Sequence, residues 1–154
     1  MTGRPKRVTG PSGTHVASNV RRLRAALGWS TYKVSTMLKE SGRPIAASSI
    51  TNIEAGRRRV DADDLVALAV VFDVNPSALL FPLGDTGTIE LTGGGSVAAT
   101  TVWEWADGER PLRLAEDTAE QTEQQARFLR LARPASRRQA GMDHIRTALN
   151  TRRA

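Results

Sequence analysis

Residues 50–58, Ile-Thr-Asn-Ile-Glu-Ala-Gly-Arg-Arg, decide how the first half of the chain is read. Ile50 and Ile53 stand three apart, on one face of a helix. Thr51 and Asn52 lie off that face, with groups that both donate and accept hydrogen bonds. Gly56 supplies the left-handed residue on which helices commonly end, and Arg57, Arg58 and Arg59 follow directly. A helix beginning near Ala46 is therefore short and apolar on one side. Its early and outward positions are Ala47, Ser48, Ser49, Thr51 and Asn52.

The flanks extend the same pattern. Ser41-Gly42-Arg43-Pro44 is turn chemistry, and Pro44 disfavours helix at Arg43. Before it, Ser30 caps a helix of about Thr31 to Lys39 whose apolar face is Val34, Met37 and Leu38. Val16, Val20, Leu23 and Leu27 recur at helical spacing, which predicts a first helix over roughly 15–27 with Gly28 as its left-handed stop. Downstream, Asp61 caps a fourth helix, Ala62 to Phe72. Asp63 and Asp64 sit in its positive first turn, and Leu65, Leu68, Ala69 and Phe72 face inward. Asn75-Pro76 opens a short fifth helix that contributes Leu79 and Leu80 and ends before Pro82. Five helices joined by short turns predict a compact helical domain over 15–82.

The whole chain has 154 residues and a mass of 16.7 kDa, with 40% hydrophobic and 25% charged residues. That is the size of one domain with an appendage, not of a multi-domain enzyme. There is no cysteine and there are two histidines, His15 and His144, so neither a disulfide nor a cysteine zinc site is available. No apolar run reaches the roughly 20 residues of a membrane span. Residues 1–14 are basic without a following apolar segment, unlike a secretory signal. The expected location is cytoplasmic, at the nucleoid.

Net charge is +6 and the sequence pI is near 10.9, which suits a polyanionic partner. The charge is also segregated. Residues 1–60 carry +10, residues 61–80 carry −4, residues 81–123 carry −7 and residues 124–154 carry +7. Two basic regions are thus separated by an acidic stretch.

Beyond Pro82 the signals weaken. Ile89 and Leu91 mark a short strand, and Gly93 to Gly95 a flexible turn. Ser96 is then expected to cap a helix carrying Val102, Trp103 and Ala106 to Gly108, although Val97, Ala99, Thr101, Trp103 and Trp105 also alternate as a strand would. Leu112, Ala115, Ala119, Thr122, Ala126 and Leu129 form a weak heptad that predicts a helix from Leu112 to Arg133, stopped by Pro134. Met142, Ile145 and Leu149 predict a last amphipathic helix. The expected division is a basic arm over 1–14, the helical domain over 15–82, a Gly- and Trp-containing connector over 83–111 and a helical tail over 112–154.

Two helices joined by a turn, the second opening with small polar residues and closing in arginines, suit a DNA major groove about 12 Å wide. Hydroxyl and amide groups read base edges, an alanine methyl meets a thymine methyl, and arginines grip the flanking phosphates.

The stretches VRRLRAALGWSTYKVSTML (20–38) and SSITNIEAGRRRVDADDLVALAVVFDVNPSALL (48–80) resemble the xenobiotic-response-element (XRE) family of helix-turn-helix regulators, which includes the lambda-repressor and Cro-like proteins. The likeness covers about 65 residues, from Val16 to Leu80. It implies a five-helix lambda-repressor-like domain; with the residue pattern beyond Pro82 the fold expected for the chain is all-α, that domain followed by a mostly helical region with a short strand. It implies base contacts from Ala47, Ser48 and Asn52, with Asn52 able to pair with adenine in a bidentate way, and the outward positions of Ser49 and Thr51 add them to the expected base contacts. Thr31, Tyr32, Lys33, Arg43, Arg57, Arg58 and Arg59 are the expected phosphate contacts, and Arg24 with Glu54 a structural ion pair. The chain departs from the family in a Ser35–Ala46 turn longer by about five residues, and in Ala46 standing where Ser or Thr usually caps the recognition helix.

The implied function is a sequence-specific, non-enzymatic DNA-binding transcriptional regulator acting on double-stranded DNA. By analogy with the family it is a repressor that occludes a promoter. No cofactor, metal or catalytic residue is expected. Gly93 to Gly95 lacks the context of a phosphate loop, and neither histidine has clustered ligands. For the tail three readings stand open: homodimerisation through the weak heptad, auxiliary DNA contacts, and an acidic partner for the basic N-terminal surface. The auxiliary contacts would come from Arg137, Arg138, Arg152 and Arg153, as from Arg4, Lys6 and Arg7 in the arm. An antitoxin-like module that binds a protein partner through its C-terminal half is the alternative of another class.

Overall fold

A computed structural model describes residues 9–138 of the chain. Arg4, Lys6, Arg7, Arg152, Arg153, His144 and the helix expected around Met142, Ile145 and Leu149 lie outside those residues. The chain divides into two compact units, Met1–Val97 and Ala98–Ala154.

In the first unit, helix α1 spans Pro11–Ala26, α2 Thr31–Glu40, α3 Ala47–Glu54, α4 Ala62–Phe72 and α5 Ser77–Leu80. α1 starts four residues earlier than its apolar spacing indicates. Proline in the first turn fits a helix start, because its missing N–H has no intrahelical partner there. The Ser30 side chain accepts from Lys33 N, and Asp61 from Asp64 N, as caps should. Asn75 Oδ1 accepts from Ala78 N at 3.0 Å and opens α5.

The core is shared among all five helices. Val20, Val34, Leu38, Ile50, Ile53, Leu68 and Leu79 are buried, with Val16, Leu23, Ile45 and Phe72 around them. Leu65, expected inside, is half-buried at the edge of this cluster. Trp29 stacks on Phe72 with ring centroids 6.1 Å apart.

The same unit continues past Pro82 into a hairpin of β1 (Thr88–Leu91) and β2 (Gly95–Ala98). Gly93 and Gly95, both at positive φ, allow the tight turn between the strands. Ile89 and Leu91 are buried, and β1 packs on α1. His15 Nε2 meets Glu90 O at 2.9 Å, while Ser12 and Thr92 exchange two hydrogen bonds of 3.2 Å between backbone N–H and side-chain hydroxyl. The segment expected to be a connector is thus divided: its first part completes the N-terminal unit.

The second unit corrects two expectations. Ser96 caps no helix, because residues 95–98 pair with β1, and helix α6 begins only at Ala99 and runs to Ala106. Helix α7 spans Thr118–Ala132 rather than starting at Leu112. Asp117 sets that start by accepting from Ala119 N and Glu120 N. The preceding segment is held non-helical by glutamines of α7: Gln121 donates to Ala115 O, Gln124 to Arg113 O and Gln125 to Glu109 O. Leu112 and Ala115 are therefore off the helix, and Leu129 is buried at 1% exposure. What α7 leaves outward on the expected seam is Ala119 and Thr122, too little apolar surface for a coiled coil.

One buried polar side chain carries the closure of the first unit. Asn19, 4% exposed, donates through Nδ2 to Leu79 O at 3.0 Å and Phe81 O at 2.9 Å, and its Oδ1 accepts from Arg22 Nε. These are carbonyls at the end of α5. Replacing Asn19 by Ala leaves them buried without that donor and is expected to cost about 1–3 kcal/mol, read as a lower urea midpoint with unchanged slope; a loss under about 0.5 kcal/mol would show that water replaces the amide.

Candidate nucleic-acid interface

α2, the turn 41–46 and α3 form the structural pair that a groove reader requires. The turn is anchored at its end: Ile45 is buried and its carbonyl accepts from Ser35 Oγ at 2.6 Å. Gly42, at φ 86, supplies the left-handed bend after α2. Ala46 gives α3 no side-chain cap, as its methyl dictates. α3 ends on Gly56 at φ 68, with Gly56 N donating to Ile53 O and Arg57 N to Asn52 O at 2.9 Å. That pair of bonds is the left-handed helix stop anticipated from Gly56.

Ile50 and Ile53 bury one face of α3, so Ser48 and Thr51 are exposed and Ala47, Ser49 and Asn52 half-buried. Thr51 Oγ1 donates to Ala47 O at 3.1 Å. Asn52 Oδ1 accepts from Arg57 Nε at 3.1 Å. The face is small, uncharged and rich in hydroxyl and amide groups. Thr31, half-buried, and the exposed Tyr32 and Lys33 open α2, which packs on α3. Arg57 and Arg59, both exposed, follow α3 directly.

Arg24 and Glu54 form a bidentate pair, Nε to Oε1 at 2.6 Å and Nη2 to Oε2 at 2.9 Å, and Arg24 Nη1 also donates to Trp29 O. The pair joins α1 to the end of α3. Hydrogen bonding to Glu54 raises the Arg24 pKa beyond its already high value, against the opposing effect of burial, so its charge is permanent.

Arg43 and Arg58, two of the expected phosphate contacts, are bound by carboxylates. Asp64, with its side chain 3% exposed, accepts from Arg43 Nε and Arg58 Nη2, each at 3.0 Å. Arg43 Nη2 reaches Asp61 at 3.1 Å, and Arg43 Nη1 lies 3.9 Å from Asp63. The hydrogen bond to Asp64, helped by the surrounding carboxylates, raises the Arg43 pKa. Reading along the chain assigned Asp63 and Asp64 to helix-end stabilisation alone. The missed signal is the acidic block at 61–64 directly after the arginine run, which gives those arginines a partner within the fold.

Arg137 and Arg138 belong to the second unit, where Arg138 Nε donates to Arg133 O at 3.0 Å. Among the described residues no group of His, Asp and Glu has the makings of a metal site, and no helix is long and apolar enough to cross a membrane.

Residues 20–79 match the model of the helix-turn-helix family HTH_3. They form a helix-turn-helix domain of the XRE type, the DNA-binding kind of domain found in transcriptional regulators. Among solved structures, the restriction-modification controller protein C.AhdI from Aeromonas hydrophila is similar at 24% identity and a TM-score of 0.39, over 44% of this chain and 94% of that one. No curated protein matches the chain.

Asp61 links this site to pH. The backbone N–H of Asp64, and then Arg43, hold its carboxyl below the ordinary 3.8. A carboxylate so depressed stabilises the fold fully above its unfolded pKa, and that contribution disappears as pH falls through the folded value. The stability gap between the wild-type protein and Asp61→Asn is therefore expected to be constant from pH 7 to pH 5 and to close below about pH 4. Urea unfolding from pH 7 downward checks it; a gap that does not narrow as pH falls below about 4 would mean that the charge of Asp61 is not what matters.

Proposed function

We propose that the protein is a repressor that lays α3 in the major groove of a promoter and blocks it by occupancy. The observation that carries this reading is the uncharged outward face of Ser48, Thr51 and Asn52 on a helix that packs on α2 and is accompanied by residues suited to phosphate: Thr31, Tyr32 and Lys33 at the start of α2, and the exposed Arg57 and Arg59 directly after α3. Phosphate contacts fix the register of a protein on the duplex, and groups on the helix between them meet the base edges. Ala47 and Ser49 lie half-buried beside that face and complete the short reach of α3 across the groove. The carboxylate-bound Arg43 and Arg58 have no part in the proposed contact.

Two copies on an inverted repeat would suit a domain of this kind, since a two-fold protein and a palindromic operator share one symmetry. The test is selection from a random-duplex library with the full chain at about 0.15 M salt. An enriched site placed over a promoter should then lower transcription in a purified system as protein is added. Enrichment of an inverted repeat marks two copies, and a single half-site marks one. No enriched sequence would overturn the reading, and higher transcription from the bound promoter would overturn repression.

On the selected site, Asn52→Ala should lose roughly 1–3 kcal/mol of binding while changing random DNA little. Arg59→Ala should weaken both DNAs alike and lower the salt slope by about one. Titration at two salt concentrations separates these outcomes.

A further inference from the structure

The end of α3 brings two groups together that sequence spacing treats separately. Arg57 Nε donates to Asn52 Oδ1 at 3.1 Å. The main chain holds the pair in place, because Arg57 N and Arg58 N donate to Asn52 O at 2.9 and 3.2 Å across the left-handed Gly56. A guanidinium N–H can only donate, so the amide of Asn52 is fixed with its oxygen toward Arg57 and its nitrogen turned away.

This orientation changes what the helix can read. Bidentate pairing of an asparagine with adenine needs the amide oxygen for N6–H₂ and the amide nitrogen for N7. Here Arg57 takes one of the oxygen's two acceptor positions, so an adenine N6–H₂ group has only the other, beside a guanidinium that is itself a donor. Beyond the one acceptor position left on that oxygen, the groups free in the pair, Asn52 Nδ2–H₂ and the remaining N–H groups of Arg57, are all donors. Guanine shows the major groove two neighbouring acceptors, N7 and O6, with no donor between them.

We propose that Asn52 and Arg57 act as one reading unit that selects guanine, with Arg57 the specificity-determining residue as well as a source of charge. The proposal rests on the reading that α3 enters the major groove. The unit's positive charge suits the electronegative edge of guanine, and its geometry is built before DNA arrives.

The experiment is the same library selection with the full-length wild type, Arg57→Ala and Arg57→Lys, followed by titration of duplexes carrying each base at the position that changes. Thermal unfolding of each variant comes first; both residues are surface-accessible, so both variants should fold. The wild type should prefer guanine over adenine there by about 10- to 100-fold. Arg57→Ala frees the Asn52 oxygen, so the preference should move to adenine. Arg57→Lys keeps the charge but not the planar fork, and should regain affinity for random DNA without regaining the guanine preference.

Uniform weakening by Arg57→Ala with guanine still preferred would make Arg57 a phosphate clamp and overturn the proposal. Full guanine preference in Arg57→Lys would overturn it too, since charge alone would then suffice. A wild-type protein that enriches no sequence fails at the earlier step, that α3 reads DNA at all.

Discussion

One buried carboxylate, that of Asp64, holds both flanks of the helix on which recognition depends. A charge removed from water must be paired, and removing one partner of such a pair is far more damaging than losing an exposed contact. Asp64 takes Arg43 from the turn before α3 and Arg58 from the turn after it. α3 has only eight residues, about 12 Å of helix, and a helix that short has no stability of its own in water. It buries Ile50 and Ile53 and little else. Its direction is therefore set from outside, by α4 through Asp64 and by α1 through the Arg24–Glu54 pair. All of this bracing lies off the Ser48 and Thr51 face, which stays open.

The same arrangement alters the meaning of the charge map. Residues 1–60 carry +10, but Arg24, Arg43 and Arg58 are each neutralised within the fold. The acidic block that follows is not a detached counterweight: Asp61 and Asp64 stabilise the first turn of α4 and bind two of those arginines. Lys33, at the start of α2, and Arg59, after α3, are solvent-exposed. At physiological ionic strength, where fields decay over about 8 Å, position counts for more than the total.

The five helices of the first unit were legible because their signals are local. Caps at Ser30 and Asp61, glycine stops at Gly28 and Gly56, and apolar spacing all act within one or two turns of chain. The pairing of Arg24 with Glu54 was available from family resemblance, and the structure forms it. The carboxylate partners of Arg43 and Arg58 were not legible, because a phosphate contact and an ion pair to a buried carboxylate call for the same residue. Asn19 was hidden for a similar reason: its partners are backbone carbonyls 60 and 62 residues away, which leave no mark on side-chain pattern. In the second unit the heptad misled, since glutamines that read as helical surface instead bond back to the segment before α7.

The ending of α3 shows how folding constraint and chemistry come to share atoms. A helix that stops on a left-handed glycine sends its next N–H back to the carbonyl four positions before that glycine, whatever the side chains are. Here that carbonyl belongs to Asn52 and that N–H to Arg57. The stop therefore places the side chain of the residue after the helix beside the last outward side chain on it. With alanine at either position the turn would still close, but the hydrogen bond between side chains would be lost. With Gly56 replaced by a residue bearing a Cβ, the left-handed conformation would be strained by about 1–2 kcal/mol, and the pair would lose the turn that assembles it. The residue that ends the helix thus fixes which way the Asn52 amide faces, without touching DNA itself.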